Sequence, residues 1–320
     1  MARIPATMMA AATDRFGGPS LLKPHIVPVP EPGPSEILIA LHTAGVGIWD
    51  AEIRKGNWRP PGRSKFPLIP GVDGAGRVAA VGSRVTRFRA GDRVYAYEFG
   101  NPHGGFYAEY VAVHQGRAGH VPDGMDLRSA GAAAVTALTA LQGVHALALG
   151  RGETVLVFGA SGAVGTLAVQ FARSRGARVI GTATGAAAQR LVRSLGAADV
   201  FDTRSKHAIV RLRALAPQGV DAVLALAGGQ QLEQCLESLR PNGRVVYPNG
   251  VEPAPRRRKG RRVAAYDAIA SPKTFAEMAR AIKAARLRVP IAARYPLTRA
   301  AAAHKRLEAG RVIGRVVLSI

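Results

Sequence analysis

Cysteine is nearly absent from this chain of 320 residues. The single one, Cys235, excludes any intrachain disulfide and any cysteine-rich zinc site, and it points to a reducing compartment. Long apolar runs are also missing. The Ala-rich stretch from Ala130 to Leu149 is broken by Thr136, Thr139, Gln142 and His145, short of the ~18 uninterrupted apolar residues of a span, and reads as a buried helix. Residues 1–12 hold Pro5 and Thr7 and no apolar h-region, so no secretory signal is expected and the cytoplasm is the expected location. Acidic residues are scarce, 21 against 44 Lys and Arg, which leaves a net charge of +23. Such a field favours anionic partners. The arginines, however, are spread along an Ala-, Gly- and Arg-rich background. The one dense block, Arg256 to Arg262, reads either as a solvated loop or as a polyanion surface.

What remains is globular: 48% apolar and 20% charged residues, with length enough for two ordinary domains. The first third reads as β-rich, with short strands at Ile37–Ala40, Gly76–Val81, Arg93–Tyr97 and Tyr107–His114 between turn clusters, which suggests a barrel or sandwich. After Pro122-Asp123-Gly124 strands alternate with helices: strands at Thr154–Phe158, Arg178–Thr182, Asp221–Leu226 and Gly243–Tyr247, helices at Ala187–Leu195 and Gln231–Leu239. Between the first two strands, Val164, Leu167, Ala168, Phe171 and Ala172 fall on one helical face. That alternation implies a parallel sheet covered on both faces. The tail predicts helices at Thr274–Ala285 and Arg299–Glu308 and a strand at Gly314–Ile320.

The strongest motif is the strand–turn–helix running through Gly159, Ala160, Ser161, Gly162, Ala163, Val164 and Gly165. Against G-x-G-x-x-G, Ala160 replaces the first glycine while Gly162 and Gly165 remain. Small residues let a diphosphate approach the backbone, and the N–H groups and dipole at the helix start favour its charge. An NAD site places Asp or Glu about 20 residues further on; from Arg178 through Ala198 there is none. Thr182 and Thr184 end the second strand, and Arg190 and Arg193 follow on the next helix. NADPH is therefore the expected cofactor, the other reading being that these arginines simply face solvent.

These features, with Asp14–Pro19, Ala44-Gly45-Val46 followed by Trp49-Asp50, Pro70–Gly76, Gly91–Val94, Ala108–Val111, Leu138-Thr139-Ala140, Ser194–Ala197 and Gly310–Leu318, resemble the medium-chain dehydrogenase/reductase superfamily in its zinc-independent quinone-oxidoreductase branch. The resemblance implies an α/β fold with a GroES-like β-barrel catalytic domain and an inserted Rossmann domain, a doubly wound parallel sheet. Its expected bounds are 1–124 and 263–320 for the catalytic part and 125–262 for the insert, with the nicotinamide in the cleft joining them. Homodimers or homotetramers are common in the family.

Zinc-dependent relatives carry Cys and His at positions that look like Gly47 and Val72 here, so no metal ligand is expected. The implied reaction is hydride transfer from NADPH to a quinone or an activated enone or alkenal. Thr139, Asn249 and Gly250 are expected near the nicotinamide half. Gly47, Trp49 and Trp58 are the expected substrate-pocket residues, the tryptophans serving either to stack a flat acceptor or to fill the core. Asp50 either relays a proton or accepts backbone N–H groups. His103 either donates a proton or is an ordinary loop histidine. Two alternatives stand beside this reading: an enoyl-thioester reductase, and a catalytically idle NADPH-fold protein that binds RNA or another polyanion through the Arg256 block. Nucleic acid is not the expected partner, since aromatic interleaving is lacking, and no membrane association is expected.

Overall fold

The computed structural model describes residues 3–58 and 65–320. Met1 and Ala2, at the head of the stretch read above for a signal, lie outside the described residues. Two compact units divide the chain: Met1–Val135 with Ala270–Ala279 and Ile291–Ile320, and Thr136–Ile269 with Arg280–Pro290.

The first unit opens with a hairpin, β1 (Thr7–Ala12) and β2 (Lys23–Pro28). Strand β3 (Glu36–Val46) leads into α1 (Ile48–Lys55), then β4 (Asp73–Val81), β5 (Arg93–Tyr97), β6 (Tyr110–His114) and β7 (Ala118–His120). β3 is the hub. Ile37 pairs with Val81 of β4 on one side and Val113 of β6 on the other, so the strand is walled in and almost wholly apolar. Ile37, Ile39 and Leu41, two residues apart, lie buried in one core with Val78, Val94, Val111 and Val113. The strand expected over Tyr107–His114 begins only at Tyr110. Phe106 and Tyr107 instead bond across to the carbonyls of Gly71 and Pro70, and the Tyr107 carbonyl accepts the Ala11 N–H.

After α2 (Leu127–Ala146) comes the second unit: β8 (Thr154–Phe158), α3 (Ala163–Ser174), β9 (Arg178–Thr182), α4 (Ala186–Ser194), β10 (Asp199–Phe201), α5 (Ala208–Leu215), β11 (Val220–Ala225), α6 (Gln230–Leu236), β12 (Leu239–Pro248) and β13 (Arg262–Tyr266). All five pairings are parallel, in the order β10-β9-β8-β11-β12-β13. The chain thus winds outward one way from β8 and then outward the other way from β11. β8 and β11 flank the switch point where such sheets take ligands, outside the strands' carboxyl ends. The helix expected over Gln231–Leu239 stops at Leu236, because Leu239 pairs with Val220 as the first residue of β12.

The chain then adds α7 (Pro272–Ala285), β14 (Ile291–Pro296), α8 (Ala300–Glu308) and β15 (Arg315–Ser319). β15 lies antiparallel on β3, so that the first unit's larger sheet runs β14-β15-β3-β4-β5-β7 with β6 also on β3. Ala300, Ala303, Val316 and Leu318 enter the same core as Ile37. The sequence reading ends the inserted domain at 262. The compact unit runs to Ile269, because Arg262 itself opens a sixth parallel strand on β12.

The basic block is less open than its composition suggests. Arg258 pairs with Glu233 of α6 at 2.8 Å, and Arg261 donates to the carbonyls of Leu236 and Leu239, where α6 ends. Arg256, Arg257, Lys259 and Arg262 stay exposed. Among the described residues no helix is long and apolar enough to cross a membrane.

Close packing of α3 on its turn depends on Gly165. A Cβ there would run into the Gly159 carbonyl oxygen and lie 2.7 Å from the Ala160 Cα, both backbone atoms that cannot swing away. Gly165→Ala gains about 1 kcal/mol of helix propensity and loses about 3 kcal/mol to overpacking. Urea unfolding is expected to show a net loss of about 2 kcal/mol.

Candidate active site

The second unit supplies an anion cradle. Gly159 has φ +87°, open to glycine, and turns the chain away from β8. Its N–H donates to the Thr182 hydroxyl at 2.8 Å, the Ala160 N–H to the Thr182 carbonyl at 3.1 Å, and the Gly162 N–H to the Gly159 carbonyl at 3.2 Å. α3 starts at Ala163 with Gly162 as its N-cap, a residue with no side chain to accept the first-turn N–H groups. Those donors and the helix dipole suit the diphosphate of a dinucleotide. Ala160 is accommodated at the first-glycine position because Gly181 of β9 lies opposite: a Cβ on Gly181 would be 3.0 Å from the Ala160 methyl.

Thr182 is buried, and its hydroxyl is committed to holding the turn. It acts here as a support for the cradle, not as an open ligand at the strand end. Thr184 donates to Asp202 Oδ1 at 3.2 Å. An acidic side chain therefore does reach this edge, from the end of β10, just beyond the window searched in the sequence. Asp202 already accepts the Arg204 N–H at 2.9 Å, and the Arg204 guanidinium is 3.7 Å away. Arg193 is turned to the Val200 carbonyl at 3.2 Å. Arg190 is exposed on α4.

At the other side of the switch point, Tyr266 ties two expected positions together. Its carbonyl accepts the Asn249 N–H at 2.9 Å, and its hydroxyl donates to the Thr139 carbonyl at 2.9 Å. Gly250, with φ +91°, completes the exposed turn after β12. Tyr266 carries no motif signal and is not a sequence candidate.

The first unit holds a buried polar cluster where β3 gives way to α1. Gly47 is the N-cap of α1 and Asp50 the third helical residue, so its carboxylate folds back to accept the Gly47 N–H at 2.7 Å. The same Oδ2 accepts the Tyr107 hydroxyl at 3.1 Å. Oδ1 is buried and has no partner. Burial pushes the Asp50 carboxyl up to about 7, against the pull of Arg315. Tyr107 also meets His304 Nε2 at 3.0 Å, and His304 Nδ1 meets Arg54 Nη1 at 2.9 Å. Arg54 is fully buried, bonded to Glu308 at 2.6 Å and to the Gly17 carbonyl at 2.9 Å. Burial, and then Arg54 and Lys55, pull the His304 imidazole down to about 3.

Beside this cluster, Arg315 Nη2 donates to Asp73 Oδ1 at 2.6 Å, and Asp73 Oδ2 accepts the Val135 N–H at 3.0 Å. A Cβ on Gly45 would overlap both groups, and one on Gly47 would lie 3.1 Å from Arg315 Nη1. The two glycines therefore make room for a guanidinium. Gly47 and Val72 offer no metal ligand, and a fixed cation adjoins position 47. This donor set does not fit zinc. No group of three or more His, Cys, Asp or Glu among the described residues is arranged to hold a metal ion.

Trp49 and Trp58 are half-buried and meet on Phe99, with ring centroids 5.5 and 3.9 Å from it. The three rings form one apolar surface, and Phe99 is an addition to the sequence candidates. His103 belongs to the loop between β5 and β6. It lies on the surface, 3.1 Å from Glu36, the first residue of β3, whereas Asp50 follows the last. Tyr107, which reaches Asp50, and His304, which reaches Tyr107, were not legible. Tyr107 lies in a run that reads as a strand, and His304 is distant in sequence. The available signal was a lone histidine among alanines on an otherwise apolar helix face.

The Asp50 carboxyl sits well above its ordinary 3.8 in the folded state, so between about pH 4 and 7 the folded chain holds a proton that the unfolded chain has lost. Its contribution to stability is therefore complete below pH 4 and falls as pH rises, by on the order of 1.4 kcal/mol per unit, until it is gone above 7. Asp50→Asn should flatten this part of the dependence in urea unfolding at pH 5 and 7.5.

Known proteins bear on these sites. Residues 33–123 match the family model for the alcohol dehydrogenase GroES-like domain, and residues 195–318 that for a zinc-binding dehydrogenase. A quinone oxidoreductase of Sus scrofa is 33% identical over 97% of both chains. A mycobacterial protein solved in complex with NADPH has a TM-score of 0.85 at 30% identity, covering 98% of this chain and 100% of its own. An NAD-dependent alcohol dehydrogenase has a TM-score of 0.89 at 28% identity, with 98% and 100% covered. With its GroES-like and Rossmann units, its dinucleotide turn and a relative of that identity along nearly its whole length, the chain is an oxidoreductase of the medium-chain dehydrogenase/reductase superfamily, in the quinone-oxidoreductase-like branch.

Proposed function

We propose that the protein is a zinc-independent reductase that uses NADPH to reduce a quinone or an activated enone or alkenal. The observation that carries this reading is the Asp50 carboxyl, buried with one oxygen unpartnered beside Arg315, where neither Gly47 nor Val72 can ligate a metal. When bound, the reduced nicotinamide supplies the hydride. The chain's own residues hold the diphosphate on the first turn of α3 and provide the proton from Asp50. Trp49 and Trp58, set edge-on and tilted against Phe99, offer an apolar surface for the acceptor.

Magnitudes favour reduction of a conjugated acceptor over oxidation of a simple alcohol. An unactivated hydroxyl is about as weak an acid as water, far weaker than the Asp50 carboxyl at about 7. Its deprotonation by Asp50 is steeply uphill without a Lewis acid. A phenolate left by hydride addition to a quinone has a pKa of roughly 10. Protonating it from a carboxyl at about 7 is downhill by about 4 kcal/mol. Acid assistance is thus matched to the reductive direction.

Preference for the 2′-phosphate is supported by exposed Arg190 and by the prior engagement of Asp202 with Thr184 and Arg204. Asp202 is the observation that favours NADH. The polyanion-binding alternative has less support, because Arg258 and Arg261 are turned onto α6.

Fluorescence titration should show tighter binding of NADPH than of NADH; equal or reversed affinities sink the 2′-phosphate assignment. Oxidation of NADPH should be fastest with quinones or alkenals, and a clear preference for crotonyl thioesters would transfer the assignment to an enoyl-thioester reductase. Gly162→Asp should abolish cofactor binding by placing a carboxylate against the diphosphate. Gly162 has φ −76° and ψ 173°, and a Cβ there meets only the Gly159 carbonyl at 3.5 Å. Asp is also a good N-cap, so the variant should melt no lower than the parent. A lower melting temperature would mean that binding was lost through unfolding.

A further inference from the structure

We propose that Tyr107 and His304 are positioning residues that keep the Asp50 proton on Oδ1, and that Arg54 locks the arrangement by fixing the histidine tautomer. The inference rests on the reading of Asp50 as the proton donor and adds to it how the donor is aimed.

Polarity follows from the closed end of the chain. A guanidinium only donates, so Arg54 Nη1, 2.9 Å from His304 Nδ1, makes that nitrogen an acceptor. A neutral imidazole that accepts at Nδ1 carries its hydrogen on Nε2, which then donates to the Tyr107 hydroxyl oxygen at 3.0 Å. Tyr107 gives its own hydrogen to Asp50 Oδ2 at 3.1 Å. Oδ2 also takes the Gly47 N–H at 2.7 Å. With two donors aimed at Oδ2, the carboxyl hydrogen is left to Oδ1, the oxygen without a partner.

Nothing in the chain can run backwards. Imidazolium formation would put a hydrogen on Nδ1 facing Arg54, and both Arg54 and Lys55 oppose it. Passing the Tyr107 hydrogen to Asp50 would leave a buried phenolate, which burial and the neighbouring Asp73 carboxylate disfavour. The chain is therefore an orienting device and not a conduit. In turnover the Oδ1–H bond breaks as the proton passes to the substrate anion, and Asp50 is left as a carboxylate held by Tyr107 and Gly47. Solvent restores the proton before the next cycle. The charged groups facing Asp50 are Arg315 of β15 and Asp73 of β4; those facing His304 are Arg54 and Lys55 of α1, with Glu308 of its own helix bonded to Arg54.

The test follows the carboxylic C=O band of Asp50 by infrared spectroscopy of the full-length protein labelled with ¹³C-aspartate, the band being assigned by its loss in Asp50→Asn. Tyr107→Phe removes a donor that stabilises the carboxylate and should move the band's titration midpoint upward by about one pH unit. The high-pH limb of kcat/KM should move with it. His304→Met should shift the midpoint the same way. His304→Gln should restore it, because a glutamine amide can accept from Arg54 and donate to Tyr107. A merely structural role would lower the kcat/KM plateau with no change of midpoint. An unmoved midpoint in Tyr107→Phe, or equal behaviour of the Gln and Met variants at 304, overturns the inference. If Tyr107→Phe does not fold, the pair of variants at His304 decides the matter on the same band. Undiminished reduction by Asp50→Asn, with the wild-type band still shifted by Tyr107→Phe, would overturn the donor reading alone.

Discussion

The Arg315 guanidinium is fitted into space that exists only because residues 45 and 47 are glycine, and it closes on Asp73 at 2.6 Å. A cation and a carboxylate buried together are costly to desolvate, and breaking such a pair leaves an uncompensated charge. The contact therefore ties the last strand, β15, to β4 across the end of β3. Its second effect is electrostatic. The same cation opposes the upward push of burial on the Asp50 carboxyl, so that this group sits near 7. Its third effect is local, since it sets a fixed positive charge beside position 47.

The two halves of the chemistry share one physical feature, a polar group deliberately left without an internal partner. In the second unit these groups are the first-turn N–H donors of α3, uncapped because Gly162 has no side chain. In the first unit it is Asp50 Oδ1. Buried side-chain atoms without a partner also occur on Tyr95, Ser238, Arg244, Arg258 and Arg315, while Arg240 with Asp221, Arg178 with Asp199, and Gln170 with both the N–H and the carbonyl of Arg288 are matched. Unsatisfied buried groups carry a penalty of about 1–3 kcal/mol each; in the proposed function a bound diphosphate meets the α3 donors and a transferred proton meets Asp50 Oδ1.

Local pattern made much of this legible. The turn from Gly159 to Gly165 and the alternation of strand and helix after it could both be read from residues close together in the chain. Where the reading missed, the reason was contact between distant segments. Asp202 reaches the end of β9 from the neighbouring strand. Tyr266 joins Thr139 to Asn249 across 127 residues on one side. His103 faces Glu36 because its loop returns to the first residue of β3.

The order of short-range signals along the chain was enough to establish the doubly wound sheet, the β-rich first unit and the dinucleotide turn. Each depends on backbone geometry within some ten residues: a period of two or 3.6, a glycine at positive φ, a helix start without a cap. Tertiary structure alone decided which side chain faces Asp50. Tyr107 and His304, 197 residues apart, are brought to 3.0 Å by strands whose pairing is set by the core as a whole. A hydrogen bond between them has no trace in either local sequence, because its direction is dictated by Arg54, a third residue from a different helix.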